Sequence, residues 1–441
     1  MRSLLVAALV CGARASRCNG EAAPGPRNTH PIDTAPPVFV SSVPNGKLYR
    51  VGPPSDERDL IHLWGTPYEN GVAMGKLIGP KLKQFVKEVY TYTEGQVVKN
   101  AGNETWCEQH RIRCEGLRVV LKLGLSAALD LSYKVTSDYI QPYVMDEIKG
   151  LAKAASVDVV DLRNIMWLGE ITRGGCSMFG AKDSATPEGQ LLQLRALDWD
   201  VDGPFRNYAT IVVYHPNAGD GHAWANLAFS GFTASVTGFS SQQLGLSEIG
   251  VSYPDASFGP ETYLAKGYPF GFLIRDVLQF DTSLQQATAR ITGAKRTCDL
   301  ILGVGDGKAN DFSGFQYSPH VATVIKPTNL LPANATWHPP IEDVVYWGMD
   351  WICPNDNKML ATQLQRYHGN LTAELTISDV VPYVSTGDVH IAIYDHAKMH
   401  MYVATARKDG ASGPLVAYQR AFTRLDMTAL FAERPPALML E

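Results

Sequence analysis

The sequence predicts an α+β protein in which layered sheets are covered by helices, and two observations carry that expectation. Up to about residue 168 the apolar residues recur mostly at helical spacing. From Cys176 onward they fall into short strand-like runs interrupted by one helical stretch. At 441 residues with 45% apolar side chains the chain can bury a large core, as one sheet-rich unit or as two or three domains. Charged residues are 19% and aromatics 10%, a composition suited to a compact, ordered chain. The net charge of −5 and the lack of a long basic run exclude the electrostatic footprint of a nucleic-acid binder. No later segment approaches about 18 uninterrupted apolar residues, so no membrane span is expected.

The elements follow in order. Residues 1–15 read as an export signal: Arg2, an apolar run over 4–10, and Ala13-Arg14-Ala15 as a small-residue cleavage site, with a frayed apolar N-terminus as the alternative. Residues 16–45, rich in Pro, Gly, Asn and Ser, predict an extended lead-in. Globular sequence begins near Lys47, a strand is expected over 60–65, and a helix starts within 66–71. Helices are expected over 79–98, 118–135 and 140–155, and one more begins at 157–162. Strands are expected over 189–199, 208–214, 223–229 and 231–237, a helix over 270–291, and a strand over 299–304. The closing pair, 389–394 and 400–404, turns through Asp395-His396-Ala397-Lys398, and no internal repeat is found.

After signal removal six cysteines remain: Cys18, Cys107, Cys114, Cys176, Cys298 and Cys353. Cys107 and Cys114 are close enough to close a small loop, and Cys298 with Cys353 is the next expected pair. Cys18 and Cys176 are left, either free or joined as a third disulfide. Asn103, Asn334 and Asn370 open glycosylation sequons, which fit an exported, secreted or lysosomal protein. No CxxC repeat or HExxH occurs and His396 and His400 lie in a strand-like stretch, so neither metal nor cofactor is expected. Gly303-Val304-Gly305-Asp306-Gly307 lacks the last glycine of a dinucleotide loop, Gly-x-Ser-x-Gly does not occur, and the papain-type cysteine sequence is missing.

The chemistry concentrates at Arg173-Gly174-Gly175-Cys176-Ser177-Met178. A turn over 183–189 and a return strand over 190–195 bring Arg195 and Asp198 back beside Cys176. A thiol, a guanidinium and a carboxylate then share one small volume; the plainer alternative is a buried Arg–Asp pair within a sheet. The aromatic group Tyr346, Trp347 and Trp351 suits either core packing or an acyl pocket.

This constellation resembles the start of the mature catalytic chain in N-terminal-nucleophile (Ntn) hydrolases. It is most similar to the cysteine branch containing acid ceramidase, N-acylethanolamine acid amidase, choloylglycine hydrolases and penicillin acyltransferase. The likeness extends over about residues 60–430: Gly65 to Gly71 with Gly75, Asp146 to Ala152, Pro269 to Leu278, and Tyr394 to Ala404 each resemble a segment of that group. The resemblance implies a four-layer αββα sandwich with a mostly helical N-terminal segment, divided as 46–175, the α-chain part of the catalytic domain, and 176–441, the β-chain. It implies self-cleavage between Gly175 and Cys176, after which the two pieces remain together as a heterodimer. The bared α-amine of Cys176, which titrates near ~8, would be the base for its own thiol. Arg195 would keep the thiolate in a positive field and Asp198 would orient the amine. Where relatives carry an oxyanion-hole Asn this chain has Gly348, and Ser240 stands in a second such stretch; a backbone N–H can serve instead. Asp350 is a candidate contact for the substrate head group. The implied activity is hydrolysis of an N-acyl, lipid-like amide through a Cys176 thioester. Alternatives are an acyltransferase or lipid esterase using the same nucleophile, or a non-catalytic secreted binding protein with the same fold.

Overall fold

The computed structural model describes residues 18, 24–54, 56–101, 111–172, 174–260, 265–407 and 413–437. The expected signal peptide, Asn103, Cys107 and Arg173 lie outside the described residues, and so does any pairing of Cys107 with Cys114. Residues 24–32 form neither helix nor strand and are pinned along the C-terminal part, whereas 38–43, within the expected lead-in of 16–45, form a strand of the larger sheet. Asp33 bridges Thr423, the Asn28 amide N–H donates to Ser378 O at 3.0 Å, and Arg27 pairs with Asp379 at 2.8 Å.

Three strands open the fold, β1 (Val38–Val43), β2 (Gly46–Val51) and β3 (Arg58–Gly65). The helix start at 66–71 and the helix over 79–98 form one element, α1 (Pro67–Ala101), with Ile78 leaving helical geometry just ahead of Pro80. Proline has no N–H to donate and its ring crowds the preceding turn, which accounts for the kink. Next come α2 (Arg111–Thr136), α3 (Pro142–Ala155) and α4 (Val159–Met166). Glycines let α1 and α3 lie backbone to backbone. A Cβ at Gly71 would sit 2.1 Å from Glu147 O, and one at Gly150 would sit 2.3 Å from Tyr68 O.

The strand-rich half begins with β4 (Gly175–Ala181) and β5 (Leu192–Asp198), then β6 (Ala209–Pro216) and β7 (Trp224–Phe229). The expected strand over 231–237 is instead a turn leading to β8 (Gly238–Ser240) and β9 (Leu244–Gly250). The helix over 270–291 is broken at 281–283 into α5 (Phe270–Phe280) and α6 (Leu284–Gly293), with Ser283 capping the second by accepting from the Gln286 N–H. Then come β10 (Leu300–Asp306), β11 (Asp311–Tyr317), β12 (Ala322–Ile325), β13 (Val344–Met349), α7 (Pro354–Arg366), β14 (His390–Asp395), β15 (His400–Thr405) and β16 (Thr423–Asp426).

Among the described residues these strands form two sheets. One is ten-stranded, in the order β1-β2-β3-β6-β7-β8-β9-β10-β11-β12, and the other six-stranded, β13-β4-β5-β14-β15-β16. The sheets face each other through β4 and β5 on one side and β9 to β11 on the other. Helices α1, α5 and α6 cover the outer face of the larger sheet, α3 lies against α1, and α7 covers the smaller sheet at β13. The result is the four-layer αββα sandwich. Buried on both faces, β5 carries no exposed residue, which is why it reads as a nearly continuous apolar run. The N-terminal segment contributes strands as well as helices: β3 pairs in parallel with β6, which joins residues from either side of Cys176 in one sheet.

One disulfide pairing departs from expectation. Cys353 pairs with Cys18, their Cα atoms 4.9 Å apart, and Cys298 is buried and outside that bridge. Cys298 immediately precedes β10 inside the core, whereas Cys353 caps the outer helix α7 where the lead-in arrives. A bridge needs Cα atoms within about 7 Å, and nearness in sequence does not supply that.

Candidate active site

The turn expected over 183–189 forms, closed by the Asp183 amide N–H donating to Gly189 O at 2.9 Å, with Gly189 at φ +70°. It sets the β4–β5 register: Gly175 opposite Asp198, Cys176 opposite Leu197, Met178 opposite Arg195. Residues directly opposite, and those two apart, share a face of a sheet. Cys176, Met178, Arg195 and Leu197 therefore share the inner face, and Ser177 and Asp198 share the outer one.

On the inner face Arg195 is fully buried and every nitrogen is occupied. Its Nε donates to Thr237 Oγ1 at 3.1 Å and Val236 O at 3.2 Å, Nη1 to Ala196 O at 3.2 Å, and Nη2 faces Glu248 Oε2 at 3.2 Å. Burial works against the Arg195 cation, yet the attraction of Cys176 and Glu248 and a hydrogen bond to Cys176 hold its pKa above the ordinary value. Cys176 is a free thiol, 2% exposed. Burial pushes it up to about 11, against the pull of Arg195, while the charges of Glu248 and Asp198 push it further up. In the continuous chain the sulfur therefore carries its proton at neutral pH. The alternative of a Cys18–Cys176 disulfide is not realised.

On the outer face Asp198 is held by the 386–388 segment. Its Oδ1 accepts from the Gly387 N–H at 2.7 Å and the Asp388 N–H at 3.0 Å. Thr386 Oγ1 lies 2.5 Å from Asp198 Oδ2 and 2.7 Å from Ser177 Oγ. One hydroxyl has one proton, so Thr386 donates to the carboxylate and Ser177 donates to Thr386. The Arg–Asp pair that the sequence offered as an alternative is not formed, because β5 sends the two side chains to opposite faces and Arg195 meets Glu248 instead.

Beside Cys176 lies a narrow pocket with a cavity volume of about 70 Å³. Its walls are apolar, with Phe85, Ile165, Leu168, Phe205, Phe229, Phe232, Val236 and Phe270 among them, and Cys176 and Glu248 are its reactive members. Both segments contribute, since Phe85, Ile165 and Leu168 precede the cysteine. An apolar cavity with a few convergent polar groups is the usual form of a small-molecule site. A thiol beside a guanidinium there can attack a carbonyl and hold the acyl group as a thioester.

The remaining expected residues are not brought to this pocket. Ser240 Oγ accepts from the Gln242 and Leu244 N–H groups, both at 3.3 Å, and shapes the β8–β9 turn. The Gly348 N–H donates to Asn357 Oδ1 at 2.8 Å, and a Cβ there would lie 2.6 Å from Asp356 O, so glycine admits helix α7. Asp350 accepts from the Ser252 N–H at 2.8 Å and the Trp351 N–H at 2.7 Å. Tyr346, Trp347 and Trp351 are fully buried and bond to Pro339 O, Leu331 O and Asp255, so they pack the core rather than the pocket. Sequence reasoning missed Glu248, whose signal was a lone carboxylate in the apolar run Leu244 to Gly250. It also missed the phenylalanines, which come from separated segments. Asn370 is exposed and Asn334 half-buried. Among the described residues no cluster of three or more His, Cys, Asp or Glu could hold a metal ion, and no helix is long and apolar enough to cross a membrane.

No family model matches the chain. Protein dcd1A of Dictyostelium discoideum is 32% identical over 424 residues, covering 92% of this chain and 93% of its own. The chain belongs to the family of dcd1A. A second member from that organism, protein dcd1B, is 32% identical over 421 residues, covering 92% of this chain and 81% of its own. Among solved structures, the Caenorhabditis elegans N-acylethanolamine-hydrolyzing acid amidase ortholog aligns with 57% of this chain and 100% of its own, at 15% identity and a TM-score of 0.38.

Proposed function

We propose that this member of the dcd1A family is an exported, self-cleaving cysteine amidohydrolase of the Ntn type, acting on an N-acyl amide with an apolar acyl group. One observation carries the reading: the Cys176 thiol, directly after Gly175 at the start of β4, lies on an apolar pocket beside the Arg195–Glu248 pair.

In the first reaction the Cys176 sulfur attacks the Gly175 carbonyl carbon and the C–N bond breaks. The acyl group passes to sulfur, and water releases it as the Gly175 carboxylate, leaving Cys176 with a free α-amine. In the second, that amine takes the thiol proton and the thiolate attacks the substrate carbonyl. The leaving amine takes the proton away, and water hydrolyses the thioester. Arg195, in hydrogen-bond contact with the sulfur, favours its anionic form. Asp198, opposite Gly175 in register, would hold the new ammonium group. The phenylalanine-lined pocket would take the acyl chain, since apolar surface buried there gains about 25 cal/mol per Å².

Reducing electrophoresis and N-terminal sequencing test this. Wild type is expected to give a fragment beginning at Cys176, and Cys176→Ala a single uncleaved chain without turnover. Because Cys18 and Cys353 lie on opposite sides of the cleavage point, the fragments should separate only after reduction. A wild-type chain that stays whole under reduction yet turns over N-acyl amides would defeat the proposal.

A further inference from the structure

A second cavity, with about 1420 Å³ of empty space open to solvent, lies between the start of β3, helix α1, the 206–209 segment and the stretch after β15. It shares no lining residue with the Cys176 pocket. Arg58, Arg206 and Arg407 line it, and each brings one buried N–H group with no hydrogen-bond partner among the described residues: Arg58 Nη2, Arg206 Nε and Arg407 Nη1. Asn207 lines it too, with its Oδ1 equally unpartnered.

Arg58 is the decisive member. It is 2% exposed, and its other contacts are neutral oxygens: Thr405 Oγ1 at 3.3 Å, Thr423 Oγ1 at 3.0 Å and Val403 O at 3.5 Å. Burial pulls its pKa down to about 10, with Asp56 offsetting part of that, so it remains a cation at neutral pH. Of the nearby carboxylates, Asp202 meets Arg206 through Nη1 at 3.7 Å and leaves the Nε open, and the others have partners elsewhere or lie at the rim. Asp56 pairs with Arg420 at 2.6 Å, Asp59 with Lys81 at 2.7 Å, Glu88 bonds Tyr208, and Glu57 is exposed at the rim. Guanidinium donors with open N–H groups match the lone pairs of tetrahedral oxyanions.

We infer that this cleft binds an oxyanion of the phosphate class, with guanidinium N–H groups of Arg58, Arg206 and Arg407 as donors and Asn207 Oδ1 accepting from a protonated oxygen. A soluble phosphate monoester and a lipid phosphomonoester headgroup share that chemistry. The site joins residues from both sides of Gly175–Cys176 and is independent of the proposed reaction.

Calorimetric titration of the full chain with inorganic phosphate, at constant ionic strength and neutral pH, tests it. Saturable binding is expected, weakened about tenfold or more in Arg407→Gln and in Arg206→Gln and unchanged in Cys176→Ala. Parallel arms separate the sources: glycerol 3-phosphate in solution, and cosedimentation with phosphatidylcholine vesicles containing phosphatidic acid. Binding in either arm that weakens in both arginine variants supports the site. No saturable binding of phosphate to the wild-type chain overturns it, and so does binding that both variants leave intact.

Discussion

The inner face of the β4–β5 hairpin presents Cys176 and Arg195 to the ten-stranded sheet, while the outer face presents Ser177 and Asp198 to the 386–388 segment. Inside, one cation and one carboxylate stand in apolar surroundings, so each must be answered by a partner, and beside burial Arg195 pulls the thiol pKa down while Glu248 pushes it up. Outside, the Asp198 carboxylate is met by two backbone N–H groups and a hydroxyl, neutral donors that hold it in place. A single strand thus separates the cation facing the thiol from a carboxylate held by neutral donors. The alternation of side chains across a strand makes that separation unavoidable.

The contrast can be attacked experimentally. The largest effect is expected from Arg195→Met, which removes the cation facing Glu248 and should cost about 3–5 kcal/mol of stability. Chemical denaturation measures the loss, and adding Glu248→Gln should restore much of the stability but none of the turnover. Recovery of turnover in the double variant would reduce the pair to a structural role. On the outer face, Asp198→Asn keeps the shape and removes the charge. Turnover should fall about 10²–10⁴-fold with the far-ultraviolet circular dichroism retained, and a wild-type rate would mean that this face only braces the hairpin.

A subtler effect lies in pH. In the continuous chain burial pushes the Cys176 thiol up to about 11, so its alkylation, followed by mass spectrometry of the peptide, should climb about tenfold per pH unit and level off only near that value. The sign for stability follows: a raised thiol pKa favours the protonated, folded form. That contribution is complete below the unfolded-state thiol pKa and disappears as pH rises through about 11. An alkylation plateau already reached at neutral pH would contradict the buried thiol. The smallest effect is expected from Ser177→Ala, which deprives Thr386 and the Met349 N–H of one neutral partner. It should cost about 1–3 kcal/mol in thermal or chemical unfolding and leave turnover nearly unchanged.

The hairpin was legible because its information is local. Turn residues over 183–189 set the register, and the register sets which side chains meet. Strand β9 was not legible as a strand, since Gly245, Ser247 and Glu248 dilute its apolar run, and with it went Glu248. Gly348 drew attention because a likeness in sequence placed an oxyanion donor there, yet its N–H is committed to Asn357. The expected Cys298–Cys353 pairing gives way to a bridge that spans a sequence separation of 335, which no local signal announces.

The order of residues by itself determined the alternation of elements, the turn over 183–189, and the sharing of one strand face by Cys176 and Arg195. Each of these depends on neighbours a few positions apart or on the period of a helix or strand. Tertiary structure alone decided that Glu248 answers Arg195, that phenylalanines from both segments close over the sulfur, and that three arginines converge on a second cleft. Those pairings join elements distant in the chain, and packing two sheets face to face is what brings them within reach.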